Sequence, residues 1–214
     1  MSKNTKTNQI YSYVTRKLDS LHEIAETGVG KGILATLRRG VGKNPGELPE
    51  LWGLIFDGIP EELFGKDGFA ASKAEWSIYT VLTLFALHQQ GNEKWMNVKD
   101  VSLGKAAGLL VKSLAQNADF DIAQKHIQQR MNLIATAKSQ EDLAYYLRSL
   151  IRFFSNNEIG LDYARLAKEL YLMSFDENLE TVEAVKMTWG RNFFAENYSV
   201  NKDKNKNEDE EKEI

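Results

Sequence analysis

The sequence predicts an all-α fold: a compact bundle of about eight or nine helices around a buried central helix over residues 72–90. Three observations predict it. No segment alternates apolar and polar residues at period two for long enough to make a strand. Apolar residues recur instead at helical spacing, in stretches separated by short breaks rich in glycine, proline or capping residues. Finally, Trp76 to Leu87 carries no charge, and Trp76, Ile78, Tyr79, Val81, Leu82 and Phe85 help cover most of the circumference. A helix apolar all round must be buried on most sides, so the others are expected to pack around it.

Taken in order, Ile10 to Glu26 is amphipathic, with Tyr13, Val14, Leu18, Leu21 and Ile24 on one stripe. Gly28, Gly30 and Gly32 precede a second helix over Lys31–Arg39, striped by Ile33, Leu34 and Leu37. Gly40 fits the left-handed position past its end, and Pro45 stops the helix from resuming. Pro49 and Pro60 bracket a short helix, Glu50 to Phe56, with Trp52 expected as its anchor. A glycine-rich, charged loop follows over Gly65–Gly68, then the central helix, ending at His88 as a capping or partly buried histidine. Gly91 to Asp100 connects onward, with Trp95 and Met96 folding back on the core. Ser102 is a natural N-cap for a helix to about Gln116, and Gly104 lets another backbone or a ligand approach closely.

Asp119 to Ala137 forms the next helix, with Phe120, Ile122, Ala123, Ile127, Met131 and Ile134 inward. Ser139, with Asp142 three residues on, resembles a capping box opening a helix to Phe154. Leu161–Met173 and Asp176–Tyr198 complete the set, the last with Leu179, Val182, Val185, Trp189 and Phe193 inward. The bundle is expected to be one domain over residues 9–198. Residues 199–214 are Asn, Lys and Glu with no core residue before Ile214, and are expected to form a disordered tail.

Composition narrows the function. With 214 residues and a net charge of −3, the chain can bury a full core but is no generic polyanion binder. It has no cysteine, hence no disulfide or thiolate site. No secretory signal or bilayer-length apolar run is visible, so a soluble, cytoplasmic protein with no membrane association is expected. Charge is blocked: +5 over residues 1–46, −6 over 47–93, +4 over 94–138, −4 over 139–198 and −2 in the tail. Such blocks predict separate basic and acidic surfaces.

The organising stretch is Leu37 to Gly46, where Arg38 and Arg39 end a helix beside a loop carrying Gly40, Gly42, Lys43 and Gly46. Side chains fixed on a helix beside freed backbone amides suit a phosphate; the same arginines also complement the negative helix end without any ligand. The earlier cluster Gly28–Gly32 is no nucleotide loop. Its spacing is wrong, a glycine follows Lys31, and a helix rather than a strand precedes it. Lys125 and Arg130, five apart, lie about 140° apart around their helix and share only a broad face. Arg148 and Arg152, four apart, lie one above the other, either free for a ligand or paired with acidic neighbours. No catalytic or metal signature is found: His22, His88 and His126 have no ligand spacing, and no Glu-x-x-His or serine elbow occurs. No catalytic residue, metal or cofactor is expected.

Five stretches in order resemble one family: Leu37-Arg38-Arg39-Gly40-Val41-Gly42 with Pro45, Ser102-Leu103-Gly104-Lys105, Tyr146-Leu147-Arg148-Ser149-Leu150, Leu161 to Leu170, and a last helix with Val185 and Trp189. Over residues 10–195 the chain resembles the CasB family, the small subunit of the type I-E CRISPR interference complex Cascade. That resemblance implies a non-catalytic helical subunit, two copies of which sit head to tail against the backbone and large subunits. It implies contact with guide RNA and target DNA, chiefly the displaced non-target strand, which the subunit steadies in the R-loop. Arg38 and Arg39 match the family's paired basic residues, and Lys105 the basic residue after Ser-Leu-Gly. Arg130 and Arg148 fall at further basic positions, while Lys43, Lys125 and Arg152 are added on local charge alone. A scaffold whose arginines only bridge subunits remains open, as does an unfamiliar enzyme using Tyr or Glu in a helical pocket.

Overall fold

Helix-forming stretches that each hide an apolar stripe, and one that hides its whole surface, leave few ways to pack. The computed structural model describes residues 3–66, 70–174 and 179–212. Its helices are α1 (Lys3–Ile24), α2 (Gly28–Arg39), α3 (Trp52–Phe56), α4 (Lys73–His88), α5 (Leu103–Leu114), α6 (Phe120–Ala135), α7 (Gln140–Asn156), α8 (Tyr163–Met173) and α9 (Leu179–Lys212). Short 3₁₀ turns at Pro49–Leu51 and Glu61–Leu63 flank α3. No strand occurs among the described residues; an isolated bridge of Asn97 with Leu161 pins the connector after α4 to the start of α8. The fold is all-α, as expected. Parts of the Gly65–Gly68 loop, the Asp176 start of the last helix and Ile214 lie outside the described residues. The α9 backbone continues through residue 199 to Lys212, into the segment expected to form a tail.

α4 is the hub. It packs against α1, α2, α3, α7 and α8, while α5 is clasped by α9 and α6. Every α4 residue from Ala74 to Ala86 is buried except Glu75, whose carboxylate completes a capping box with Ser72. Side chains of Thr27, Ser102, Asp119, Ser139 and Asp162 likewise accept backbone N–H bonds at the starts of α2, α5, α6, α7 and α8. Such caps satisfy donors that no helix can satisfy internally.

Several sequence expectations need correction. Gly40 is right-handed, with φ −78°; the left-handed residue is Gly42, with φ 79°. Gly40 is required by packing, since a Cβ there would lie 2.6 Å from Leu51 Cδ1, 2.7 Å from the Tyr79 hydroxyl and 2.8 Å from Thr83 Cγ2. Trp52 is not the anchor of α3. Leu51 and Ile55 are fully buried, whereas Trp52 is 49% exposed and donates its indole N–H to the Pro45 carbonyl at 3.2 Å. Ile122 and Leu179 also face outward, at the first turns of their helices. Gly104 behaves as expected: a Cβ there would run into the Trp189 carbonyl, so α5 and α9 meet backbone to backbone.

A polar pair and a polar trio lie inside. His88, fully buried, meets the Tyr163 hydroxyl at 2.9 Å through Nδ1. Burial pushes its pKa down to about 4, opposed in part by the Ile159 backbone. Glu169 joins α8 to α9 by accepting from the Trp189 indole at 2.6 Å and Arg165 Nε at 2.8 Å. Burial raises the Glu169 pKa, with Arg165 and Trp189 working against the rise.

Gly104→Ala should destabilise the fold by about 1–3 kcal/mol, because overpacking drives α9 off α5. Gly32→Ala, with open space around its Cβ position in α2, should gain about 0.5–1 kcal/mol. Urea midpoints of the two variants test the contrast.

His88 supplies a second prediction. The unfolded imidazole binds a proton near pH 6.5, while the folded one waits until about pH 4. Stability therefore falls as pH drops through that window, by about 2 kcal/mol from this residue alone between pH 7 and 5. Glu169 opposes it, because a raised carboxyl pKa stabilises the fold at low pH and that stability is lost as pH rises. His88→Gln, which keeps a side-chain partner for Tyr163 but does not titrate, should flatten the pH dependence of the urea midpoint.

Candidate nucleic-acid interface

Arg39 closes α2 and faces outward, where Nη2 pairs with Glu50 Oε1 at 2.9 Å. The chain then turns through Gly40 and Gly42 toward α7. Lys43 pairs with Glu47 at 3.2 Å, and Glu47 also accepts the Asn44 N–H at 2.8 Å. That backbone bond, helped by Lys43, holds the Glu47 carboxyl below the usual carboxylate range. The turn comes close to α7: a Cβ on Gly42 would lie 3.7 Å from Arg148 Nη1.

Between this turn, α4 and α7 lies a cavity of about 390 Å³. Its floor is Trp76, Tyr79, Thr80 and Thr83 from α4, and its rim includes Lys43, Asn44, Gln140, Tyr145 and Arg148 together with the carboxylates Glu141 and Asp142 of the first turn of α7, neither of which pairs with Arg148. Tyr79, whose pKa burial pushes up to about 12, donates its hydroxyl to the Gly40 carbonyl at 3.1 Å and so fixes the turn to the floor. The Nε of Arg148 is buried and has no hydrogen-bond partner among the described residues. A second cavity of about 530 Å³ adjoins the first and shares Tyr145 and Arg148 with it. It continues along α7 past Ser149 and Arg152 to Phe153 and Asn156. Neither Arg148 nor Arg152 belongs to an ion pair within 4.0 Å among the described residues. Arg130 of α6 reaches this face indirectly, its guanidinium lying 4.4 Å over the Phe153 ring.

The eight basic residues singled out in the sequence thus divide. Lys43, Arg148 and Arg152 border connected concavities, and Arg130 stands behind Phe153 at their far end. Arg38, half-buried, borders a different cavity of about 610 Å³ with His22, Lys31 and Trp95. Arg39 is engaged by Glu50. Lys105, whose N–H meets the Ser102 cap, and the exposed Lys125 belong to α5 and α6 and line neither α7 cavity. The basic blocks at residues 1–46 and 94–138 therefore both send a cation to α7, which itself lies in an acidic block. Tyr145, Asn44 and Phe153 were not singled out in the sequence. For Tyr145 the signal is present: it sits on the polar face of α7, one turn before Arg148, 69% exposed.

Chemically, the surface offers guanidinium donors without carboxylate partners, an exposed aromatic ring and a cleft with an aromatic floor. No group of three or more His, Cys, Asp or Glu able to hold a metal occurs among the described residues. No helix among them is long and apolar enough to cross a membrane.

The sequence family described as CRISPR-associated protein Cse2 matches residues 33–194. Among solved structures, CasB from Thermobifida fusca is 26% identical with a TM-score of 0.66, covering 86% of this chain and 97% of that one. CasB from Thermus thermophilus is 21% identical with a TM-score of 0.58, covering 85% and 97%. CasB from M. ruber is 20% identical with a TM-score of 0.59, covering 88% and 97%. The last two are likenesses of fold. No curated protein sequence matches the chain.

Proposed function

The chain belongs to the CRISPR-associated Cse2 (CasB) family, a structural Cascade subunit family, and from that premise we propose that it is a non-catalytic subunit that holds nucleic-acid backbone through α7. The observation that carries this reading is the pair Arg148 and Arg152, one turn apart beside connected concavities, with no carboxylate partner among the described residues. Four residues of helix span about 6 Å, comparable to one nucleotide step along a sugar–phosphate backbone. Guanidinium groups bordering a groove at that spacing, Arg152 exposed and Arg148 half-buried, suit successive phosphates and read no sequence.

Lys43 joins the track by exchanging Glu47 for phosphate, and Arg130 adds positive potential at the far end. Arg38, Arg39, Lys105 and Lys125 act as outlying charges or meet neighbouring subunits and a second copy of the chain. The strand held is the displaced non-target strand. Opening target DNA against a guide RNA is nearly balanced in free energy, so a few backbone contacts on the displaced strand tip the exchange forward. A scaffold without nucleic-acid contact is the competing reading, and salt separates the two. Each phosphate contact contributes about −0.7 to the slope of log K against log salt on a single strand.

Arg148→Ala/Arg152→Ala should reduce the magnitude of that slope by about 1.4 and shorten R-loop lifetime in the reconstituted complex. Arg38→Ala/Arg39→Ala should change the slope less. Salt titrations with a labelled single strand, on the free chain and the complex, test this. An unchanged slope and lifetime in the α7 variant would leave the scaffold reading standing.

A further inference from the structure

Tyr145 breaks the pattern of α7. The helix turns Leu143, Leu147, Leu150, Ile151 and Phe154 into the core, yet leaves this large ring 69% exposed on the opposite side. The ring is not loose: it stands against Tyr146 at 5.6 Å between centroids and 71° between planes. It borders both cavities, three residues before Arg148 and seven before Arg152, so all three share one face of the helix. An aromatic ring kept in water beside unpaired guanidinium groups forgoes burial, which is the arrangement expected where a planar ligand completes the surface.

Resting on the phosphate track proposed above, we infer that Tyr145 is a base-stacking platform and that the α7 groove is built for a single strand. The backbone lies over Arg148 and Arg152, and one base stacks on the Tyr145 ring at the mouth of the cleft floored by Trp76 and Tyr79. The amide side chains of Asn44 and Gln140 border the same mouth and can meet base edges of any identity. A duplex cannot engage the ring this way, because its base faces are already stacked on one another. A single strand presents them freely, and every base has such a face, so the platform is sequence-tolerant. Phosphate contacts alone favour the more densely charged duplex; the ring is what turns the groove toward single strands.

The test uses the full chain at low salt with an oligothymidine carrying one 2-aminopurine, and with a duplex of equal length. Tyr145→Ala should weaken single-strand binding about five- to a hundredfold and abolish the quenching of 2-aminopurine that stacking produces. Its salt slope and duplex affinity should match wild type, since no phosphate contact is lost. Tyr145→Phe, which keeps the ring, should bind and quench as wild type does. Wild-type affinity and quenching in Tyr145→Ala would overturn the platform, and so would an equal loss on strand and duplex, which marks a residue that merely shapes the groove. The Arg148→Ala/Arg152→Ala variant runs alongside. If its slope falls while Tyr145→Ala is silent, stacking alone is lost; if its slope is also unchanged, the phosphate track falls too.

Discussion

A helix without charge from Trp76 to Leu87 has no side that can stay in water, and this constraint places its neighbours. α1, α2, α3, α7 and α8 all pack on α4, and each contributes the stripe that its own sequence spacing exposes. The consequence for the candidate interface is direct. α2 and α7 are remote in sequence, but both must cover α4, so the Gly40–Asn44 turn at the end of one arrives beside Arg148 of the other. Gly40 makes the approach possible by omitting a Cβ where Leu51, Tyr79 and Thr83 already crowd, and the Tyr79 hydroxyl locks the turn in place. The floor of the cleft is thus the hub itself.

Where α9 meets α5 and α8, a different device holds it. Gly104 lets the α9 backbone touch α5, and Glu169 receives the Trp189 indole and the Arg165 guanidinium in a buried position. A carboxylate placed there unpaired would be costly, and both its oxygens are engaged. Close packing and a satisfied polar junction reinforce each other, because the register that seats Gly104 against Trp189 also brings the indole to Glu169.

The helices, the caps Ser102 and Ser139, and the burial of α4 were legible because each depends on local spacing, and α4 announces itself by lacking charge. What failed was local inference about positions set by tertiary crowding. Gly40 was read as a backbone need and proved to be a packing need, while the left-handed backbone moved two residues on to Gly42. Ile122 lies on the side of α6 opposite the buried Phe120, Ala123 and Ile127, and Leu179 stands exposed at the first residue of α9. The interface was legible in its parts and not in its assembly. Sequence identified Lys43, Arg130, Arg148 and Arg152 as cations, but which have a carboxylate within reach is decided by the fold. Lys43 and Arg39 have one, and Arg148 and Arg152 do not.

On the proposed reading, that division is also how a chain of net charge −3 would serve a polyanion. Internal carboxylates occupy Arg39 and Lys43, leaving Arg148 and Arg152 of α7 without an ion pair among the described residues, so the free chain's grip on DNA is expected to be weak. In an assembled interference complex this is an advantage. On that reading the complex would deliver the displaced strand at high effective concentration, where modest contacts suffice. A strongly basic subunit would instead pay out its affinity on every duplex it met, because phosphate attraction is blind to sequence. The proposed track of two arginines and a ring would fit the energetics of R-loop formation better, since an exchange so nearly balanced needs a small bias toward the opened state and not a clamp.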